Sequence, residues 1–406
     1  MAERTSHDVV IVGGGMVGAA LAAALATHDF RVAVVERREP QRHWPRDEIA
    51  NRVSALSRAS QMILQALGAW PRMQQLRVTP YREMRVWDIP GQGDIHFDSA
   101  GIGEPDLGHI VENRVTQLAL WEILEQLTAI DLYCPASVAD WDYSSRSLRL
   151  DSGQQLSADL LVAADGARSP LREAMDIAVD ATDYRQVAVA TTVTTTKGHH
   201  QTAWQRFLPG GPLAFLPVDE NNRCSIVWST TTDHAGQLLA LDDPDFAAAL
   251  TEASQERLGS VLSATPREGF PLRGQHARVY VKPGFALVGD AAHVIHPLAG
   301  QGVNLGFLDA ATLAELLVTA RRKQRSVGGI SLLRRYERAR RGDNLAMLKA
   351  MESFNRLFSN TSPGLRLVRN IGLAGADRLP PLKNLFMRRA LGLTGQPPAL
   401  ARISRT

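Results

Sequence analysis

The sequence predicts an α/β fold with a parallel sheet, a separate antiparallel sheet and a helical carboxy-terminal region. A short apolar strand at residues 7–12 is followed by a glycine-rich turn and an apolar helix at 17–26, which is how a parallel α/β sheet begins. Residues 186–230 contain several β-branched, alternating stretches, as antiparallel strands do. From residue 331 onward, apolar residues recur at helical spacing.

Length and composition indicate an ordinary globular protein. A chain of 406 residues is long enough for two domains, and a net charge of +3 does not indicate a nucleic-acid partner. Cys134 and Cys224 lie far apart and fit no metal-binding spacing, so we expect reduced core thiols in a reducing compartment. No signal peptide is evident, and the longest apolar stretch, 17–26, is too short to span a bilayer. We therefore expect a cytoplasmic protein with at most peripheral membrane contact.

The turn after the first strand has the sequence GGGMVG, the G-x-G-x-x-G pattern of dinucleotide-binding sites. Gly13 allows the tight turn, Gly15 lets the backbone approach a pyrophosphate, and Gly18 lets the helix pack on the sheet. A second strand at 31–35 ends on Glu36, where a carboxylate can bind ribose hydroxyls. Because that acid disfavours a 2′-phosphate, the pattern predicts FAD or NAD. The alternative is a tight turn without a ligand.

Between the first two strands and residue 160, the sequence predicts short strands and two helices. The helices are expected at 57–67 and 115–126, and the strands at 81–89, 91–98, 138–143, 147–150 and 155–157. Ser57 or Ser54 is a suitable N-cap for the first helix. Arg52 and Arg114 each stand just before a helix. There a guanidinium can face a phosphate or a flavin, or simply solvent.

Two later strands end in an acid beside a glycine. The stretch 160–164 leads into Asp165-Gly166, whose carboxylate can bind neighbouring N–H groups or a cofactor. The stretch 285–288 leads into Gly289-Asp290 and then a Gly/Pro-rich loop suited to lie against a flat ligand. His293 and His296 follow at i, i+3, but no third ligand is evident, so no metal site is predicted. A helix is expected at 303–320.

The antiparallel block spans residues 180–274, with strands expected at 186–196, 204–207, 213–217 and 224–230. Its aromatic residues either line an apolar substrate pocket or form plain core, which is the commoner role of aromatics on strands. These residues are Trp204, Phe207, Phe215 and Trp228.

The carboxy-terminal region is basic. Between Arg321 and Arg341 there are nine Arg or Lys residues and one acid, Glu337. Such a run forms a solvated helix face or attracts an anionic membrane or an acidic partner. A long helix is expected at 331–358. It is followed by a Leu- and Arg-rich tail in which Leu382, Leu385 and Phe386 share one helical face.

Taken together, these motifs resemble those of the class A flavoprotein aromatic hydroxylases, the single-chain FAD monooxygenases similar to p-hydroxybenzoate hydroxylase. The stretches NRVSALSRASQMILQALGAW, VENRVTQLALWEIL and GDAAHVIHPLAGQGVNLG are similar to those of the ubiquinone-biosynthesis hydroxylases. WQRFLPGGPLAFLP, with SIVWST, most resembles the branch that acts on 3-demethoxyubiquinol. The resemblance covers nearly the whole chain. It implies a Rossmann-like FAD-binding domain (1–75, 100–180 and 275–330), an antiparallel-sheet substrate domain (76–99 and 181–274) and a helical region (331–406).

The resemblance also implies roles for matched positions. Glu36 would bind the adenosine ribose, Asp290 the ribityl chain, and the 297–304 loop would lie along the isoalloxazine. The implied FAD contacts are Gly13, Gly15, Val17, Gly18, Glu36, Arg37, Arg52, Arg114, Val138, Asp165, Asp290, Pro297, Gly300, Gly302, Val303 and Asn304. Pro297 and Gln301 would lie nearest the reaction, whose chemistry comes mainly from the flavin. His296 stands where many relatives have Asn.

The implied activity is hydroxylation of a polyprenyl benzoquinol. NAD(P)H reduces FAD, O2 adds at the flavin C4a, and the hydroperoxide delivers oxygen to the ring. Proteins of the ubiquinone-biosynthesis complex are implied partners. Alternatives are another ring position, a soluble aromatic acid, or a subunit that keeps FAD for assembly. A flavin-dependent halogenase is disfavoured because Trp87-Asp88-Ile89-Pro90 carries only the end of the W-x-W-x-I-P motif.

Overall fold

A computed structural model describes residues 4–87, 94–219, 221–295 and 302–358, together with 384, 387–388, 391–392 and 396–402. The helices in these residues are α1 (Met16–Ala26), α2 (Arg58–Ala66), α3 (Trp70–Leu76), α4 (Asn113–Leu124), α5 (Pro170–Ala174), α6 (Thr232–Ala240), α7 (Asp243–Ser254), α8 (Gly302–Arg322) and α9 (Ile330–Phe358). The strands are β1 (Arg4–Val12), β2 (Val32–Val35), β3 (Val53–Leu56), β4 (Thr79–Tyr81), β5 (Glu83–Trp87), β6 (Asp94–Asp98), β7 (Gly108–Glu112), β8 (Ile130–Tyr133), β9 (Val138–Asp142), β10 (Ser147–Leu150), β11 (Gln155–Ala163), β12 (Val179–Thr195), β13 (Thr202–Leu208), β14 (Gly211–Pro217), β15 (Arg223–Thr231), β16 (Val261–Ala264), β17 (Glu268–Ala277), β18 (Val281–Lys282), β19 (Phe285–Leu287) and β20 (His293–Val294).

The first sheet is parallel in its centre, in the order β19-β11-β1-β2-β8. β18 and the β9–β10 ribbon add antiparallel strands to it. Residues 9–12 of β1 and all of β2 are apolar and buried because helices cover the sheet, as parallel sheets require. α1 is apolar on every side and packs against both α4 and α8. The predicted α/β architecture is confirmed.

The second sheet has the order β20-β17-β12-β15-β14-β13-β5-β6, with β16 paired to β12. It is antiparallel except where β13 runs parallel to β5. The predicted block at 180–274 is therefore a sheet, but α6 and α7 also lie within it and were not predicted. Their caps are visible in the sequence. Thr231 accepts the N–H of His234, and Asp242 accepts that of Asp245 ahead of a proline in the first turn.

The remaining elements join the two sheets. β3, β7 and β4 form a small sheet, and α2 begins after Ser57, whose hydroxyl accepts the N–H of Ser60 as predicted. α8 is the one described helix long and apolar enough to cross a membrane, yet 61% of its apolar window is buried inside the protein. Cys134 and Cys224 are both unpaired; Cys224 is a buried core thiol as predicted, whereas Cys134 is only half-buried. The expected shared face of Leu382, Leu385 and Phe386 lies outside the described residues.

Candidate active site

Four predicted features meet along one edge of the parallel sheet. Neighbouring parallel strands end at the same edge, so the segments that follow β2, β1, β11 and β19 lie side by side. These segments carry, in that spatial order, Glu36, the glycine turn, Asp165 and Asp290. In open α/β sheets this edge is where ligands bind.

The three motif glycines have different surroundings. A Cβ on Gly13, whose φ is +108°, would lie 2.2 Å from the carbonyl oxygen of Ala164. A Cβ on Gly18 would lie 2.0 Å from the carbonyl oxygen of Gly13. A Cβ on Gly15 would meet no described atom within 4 Å. The fold therefore requires Gly13 and Gly18, whereas Gly15 borders open space at the start of α1.

The glycine turn is held by side chains from β2 and α4. The Gly14 N–H donates to Glu36 Oε2 at 2.7 Å, and Trp121 Nε1 donates to the Gly14 carbonyl oxygen at 2.6 Å. Gln117 Nε2 donates to the same oxygen at 3.3 Å. Gly15, the N-cap of α1, supplies no side-chain cap, so the first N–H groups of the helix are available to an anion. Trp121 and Gln117 were not predicted, because no motif links them to the turn.

Glu36 reaches beyond the glycine turn. Its second oxygen accepts the Arg38 N–H at 3.1 Å, and its carbonyl oxygen accepts the Ala136 N–H at 2.9 Å. The latter bond places the start of β9, and with it Val138, beside the end of β2. Arg37 is exposed next to Glu36. This arrangement presents a carboxylate and backbone groups at the adenosine end expected for a dinucleotide.

The Asp165 and Asp290 loops are bridged by two side chains that the motifs do not contain. Buried Arg172 donates from Nη1 to the Ala291 carbonyl oxygen at 3.0 Å and from Nη2 to that of Ala167 at 3.1 Å. Gln275 donates from Nε2 to the Ala167 carbonyl at 2.8 Å and to the Asp290 carbonyl at 3.2 Å. The two loops therefore form one rigid wall.

Asp165, on this wall, is only partly satisfied by the protein, since its Oδ2 accepts the Leu171 N–H at 3.3 Å. Burial raises the pKa of Asp165, and its Oδ1 is buried without a hydrogen-bond partner among the described residues. Burial also raises the pKa of Asp290, although solvent reaches this residue. Both observations hold if Asp290 faces a deep open cleft. Arg52 is exposed, stacks 5.4 Å from the Phe270 ring centre, and opposes burial by lowering the pKa of Asp290.

Arg114 is placed differently from the prediction. Its guanidinium donates to Glu48 Oε1 at 2.6 Å and to Glu112 Oε2 at 2.9 Å, and stacks 4.5 Å from the Trp44 ring centre. Glu112 is buried and also pairs with Arg77 at 2.6 Å. In this structure Arg114 holds the 37–51 loop instead of offering a free cation, because two carboxylates already surround it.

The α8 end of the predicted site is partly described. The Asn304 amide donates to the Ala55 carbonyl oxygen at 2.8 Å and accepts from the Ser57 N–H at 3.0 Å and the Ser60 hydroxyl at 2.7 Å. Its side chain is thus occupied with α2, which leaves only its backbone for a ligand. Gly302 and Val303 are half-buried at the start of α8. Pro297, Gly300 and Gln301 lie outside the described residues.

Three of the four aromatic residues predicted to line a pocket share one face of the second sheet, and the fourth lies on the opposite face. Trp204 pairs directly with Phe215, so their side chains share one face of the second sheet. Trp228 is on the same face, and this face packs against α6 and α7. Phe207 is on the opposite face, where it packs against Val86 and Ile95. Contrary to the pocket prediction, Trp204, Phe215 and Trp228 belong to a helix-backed core.

The residues present fit a dinucleotide with a flavin. The N–H groups at the start of α1 would hold a pyrophosphate, Glu36 would bind a ribose, and Asp165 and Asp290 would accept hydrogen bonds from the segment beyond. Hydroxyl-rich ligand segments can donate to those carboxylates. The buried His293, for which a metal site was considered, bonds instead to Asp309 at 2.6 Å.

Comparisons with known proteins agree with this geometry. The model of the FAD binding domain family matches residues 6–350. The chain is 40% identical to 3-demethoxyubiquinol 3-hydroxylase of Escherichia coli (strain K12), over 95% of this chain and 98% of that protein. It is also 40% identical to ubiquinone hydroxylase UbiL of Rhodospirillum rubrum, over 97% of this chain and 92% of that protein. The crystal structure of p-nitrophenol 4-monooxygenase PnpA from Pseudomonas putida DLL-E4 shares the fold, with a TM-score of 0.78 at 20% identity, covering 97% of this chain and 99% of that one.

Proposed function

We propose, because this chain belongs to the FAD binding domain family, that it is an FAD-dependent monooxygenase that hydroxylates the ring of a polyprenyl benzoquinol in ubiquinone biosynthesis. The most specific form of the proposal is the demethoxyubiquinol step. The observation that carries it is the 40% identity to 3-demethoxyubiquinol 3-hydroxylase, which extends over 95% of this chain and 98% of that relative.

FAD, when bound, takes electrons from NAD(P)H and uses O2 to oxygenate an electron-rich ring. The protein supplies binding and orientation. In this proposal the N–H groups at the start of α1 hold the pyrophosphate, Glu36 accepts ribose hydroxyls, and Asp290 accepts ribityl hydroxyls. Arg52 adds a positive charge near the flavin end. The proposal also assigns Pro297 and Gln301, which lie outside the described residues, to the reaction site.

The division into FAD-binding segments (1–75, 100–180 and 275–330) and substrate segments (76–99 and 181–274) is part of this proposal. The pairing of β5 with β13 supports placing 76–99 with the second sheet. On the face opposite α6 and α7, this sheet carries Ala203, Ala214 and Leu216, which pack with Ala55 and Ile110 of the first part of the chain. An apolar boundary of this kind suits a hydrophobic ring and excludes water from the reaction.

The proposal is tested by mass spectrometry of quinone lipids in host cells lacking the protein. Accumulation of the demethoxy quinone, reversed by the wild-type chain, is the expected result. An intermediate blocked earlier assigns another ring position. An unchanged quinone pool, with no second hydroxylase covering the step, contradicts the pathway and favours a soluble aromatic acid.

The variant Asp290→Ala separates catalysis from an assembly role. If the protein is the hydroxylase, this variant accumulates at wild-type level but does not restore the product. Normal quinone synthesis with Asp290→Ala supports an FAD-retaining assembly subunit instead. Glu268→Ala is a matched control, since it also removes an exposed carboxylate, but one that accepts a hydrogen bond from Asn51 and has no proposed role in FAD binding.

We further propose that the protein contacts an anionic membrane surface through the corner between α8 and α9. Of the basic run, Arg321 pairs with Asp8 and Arg340 with Asp309. The others named here are exposed and form no ion pair with any described residue: Arg322, Lys323, Arg325, Arg334, Arg335 and Arg338. Six unpaired cations at one corner favour anionic lipid headgroups, where the substrate resides.

Vesicle sedimentation checks this contact. Wild-type protein is expected to bind vesicles containing phosphatidylglycerol at low salt and to dissociate as salt screens the charges. The triple variant Arg334→Gln/Arg335→Gln/Arg338→Gln should bind less. The control triple Arg149→Gln/Arg185→Gln/Lys197→Gln removes as many exposed charges elsewhere. Equal binding by the two triple variants contradicts the assignment.

A further inference from the structure

We propose that Asp309, Arg340 and Asn344, which we call the α9 clamp, position the Gly289–Asp290 loop and thereby set the affinity of the protein for FAD. The inference rests on the proposed FAD-dependent function. It goes beyond that function because it assigns a role in cofactor binding to α9, which follows the last strand of both sheets and carries no part of the glycine motif.

The centre of the α9 clamp is the Asp309 carboxylate, which accepts hydrogen bonds from four donors. Asp309 lies on α8 and is 0% exposed. Its Oδ2 accepts the Gly289 N–H at 3.2 Å and His293 Nε2 at 2.6 Å. Its Oδ1 accepts Arg340 Nε at 2.8 Å and Asn344 Nδ2 at 3.0 Å. Both oxygens are therefore saturated, one by the loop and the other by α9.

The charge state of Asp309 follows from these partners. Burial alone would raise the pKa of this carboxyl, but His293 and Arg340 lower it to about 2. The carboxylate is therefore ionised at neutral pH. Because an ionised carboxylate only accepts, His293 Nε2 must carry the proton. A buried charge of this kind is retained only while its partners remain in place.

The two loop anchors flank the residue assigned to the cofactor. Gly289 immediately precedes Asp290, and His293 follows it by three residues. The Asp309 carboxylate therefore binds the loop on both sides of Asp290. The loop also has little room to move toward the helices. A Cβ on Gly306 of α8 would lie 2.5 Å from Val17 Cγ2 and 3.3 Å from the Gly289 Cα. A displacement of Asp309 would therefore also displace Asp290.

A second layer of α9 contacts holds the clamp from behind. Asn344 Nδ2 also donates to the Tyr280 hydroxyl at 3.3 Å, and that hydroxyl bonds His276 Nε2 at 3.1 Å. The Tyr336 hydroxyl donates to the Leu287 carbonyl oxygen at 2.8 Å, just before the loop. These buried polar contacts give α9 one defined register against β19.

The clamp is tested by FAD titration of full-length apoprotein, followed by flavin fluorescence. Asp309→Asn is expected to raise the FAD dissociation constant by about tenfold or more, since charge-assisted bonds to the loop are lost. Asn344→Ala keeps both members of the Asp309–Arg340 ion pair but removes one donor to Asp309 and the acceptor of Arg340 Nη2, so it should raise the dissociation constant less but in the same direction. This second variant keeps the test decisive if Asp309→Asn does not fold.

A stability-matched control separates positioning from general destabilisation. Leu250→Ala removes a fully buried side chain from the core behind the second sheet, away from the loop. It should lower the free energy of unfolding while leaving the FAD dissociation constant within about twofold of wild type. The inference is overturned if Asp309→Asn and Asn344→Ala bind FAD as tightly as Leu250→Ala. If wild-type protein itself binds no FAD, the proposed function fails instead.

Discussion

At the scale of single residues, the three glycines of the G-x-G-x-x-G motif fall into two groups. Gly13 and Gly18 lie against backbone carbonyl oxygens, so a methyl group at either position would collide with atoms that cannot move aside. Gly15 has an ordinary φ of −68° and open space in front of it. The fold therefore does not require the absence of a side chain there, and in the proposed function that space is left for the pyrophosphate.

This difference predicts separable effects of two substitutions. Gly15→Ala should change the unfolding free energy by less than about 0.5 kcal/mol but weaken FAD binding strongly. Gly18→Ala should cost about 2 kcal/mol or more, because the new methyl group overpacks the turn. Urea unfolding of the apoproteins and FAD titration measure the two quantities. Equal FAD affinity of wild type and Gly15→Ala would show that the open space is not the pyrophosphate position.

His109 gives a pH dependence at the same scale. Burial, and then Arg58, lowers its pKa to about 4, so the folded protein keeps the ring neutral below the unfolded value of about 6.5. The unfolded chain therefore binds one more proton between pH 6.5 and 4. This stabilising contribution is complete above pH 6.5 and is lost as the pH falls toward 4.

The expected size is about 1 to 2 kcal/mol between pH 7 and 5. His109→Gln should remove that part of the acid-induced loss, while the contribution of His276, whose pKa burial also lowers to about 4, stays in both proteins. Unfolding free energies of wild type and His109→Gln at the two pH values provide the check. Parallel pH profiles would mean that the pKa of His109 is the same in the folded and unfolded states.

At the scale of elements, α6 and α7 determine which aromatic residues of the second sheet are buried in its core. They cover the face that carries Trp228 and Phe215, and Phe246 and Leu250 of α7 fill the space between. The opposite face, with Phe207, is turned away from these helices. One face of the sheet is therefore closed core, and the proposed function assigns the other face to the substrate.

Two substitutions distinguish the faces. Trp228→Ala should destabilise the protein by about 3 to 5 kcal/mol and leave the KM for the quinol nearly unchanged. Phe207→Leu should cost less than about 1.5 kcal/mol and alter KM. Thermal unfolding and steady-state kinetics give both values. A raised KM for Trp228→Phe, which keeps the core filled, would restore Trp228 to the pocket.

At the scale of the whole molecule, cofactor binding couples segments that are remote in sequence. Glu36, Asp165, Asp290 and α9 contribute to one edge of one sheet, directly or through the α9 clamp. A ligand that spans this edge binds only the folded chain. FAD therefore stabilises the entire fold by mass action.

Removal and return of FAD should show this linkage. At a free FAD concentration of about 100 times its dissociation constant, the unfolding free energy should rise by about 2.7 kcal/mol. The melting temperature of apoprotein should increase steadily with FAD concentration, and Gly15→Ala should show little increase over the same range. An FAD-independent melting temperature for wild type would contradict a site formed only on folding.

Much of the fold and part of the site can be predicted from short stretches of the sequence. The glycine turn, Glu36, the Ser57 cap and the two Asp–Gly strand ends follow from residues a few positions apart, and the structure has each element where the pattern indicates. One signal was available but unused. Trp204 and Phe207 are three residues apart on one strand, which places them on opposite faces and excludes a single shared pocket. The DDPD sequence at 242–245 likewise predicts the start of α7, because an Asp N-cap and a Pro in the first turn favour a helix.

By itself, the sequence determined the α/β class, the edge at which a dinucleotide binds and the acids along that edge, because these depend on backbone conformation and short-range spacing. Only the tertiary structure decided which charges are free. Nothing in the sequence alone distinguishes Arg114 and Arg340 from Arg52 and Arg334. The first two are enclosed by Glu48, Glu112 and Asp309, whereas the last two are exposed. The reason is physical: the partner of a long cationic side chain is selected by folded distance, and Asp309 and Arg340 meet at 2.8 Å although 31 residues separate them in the chain.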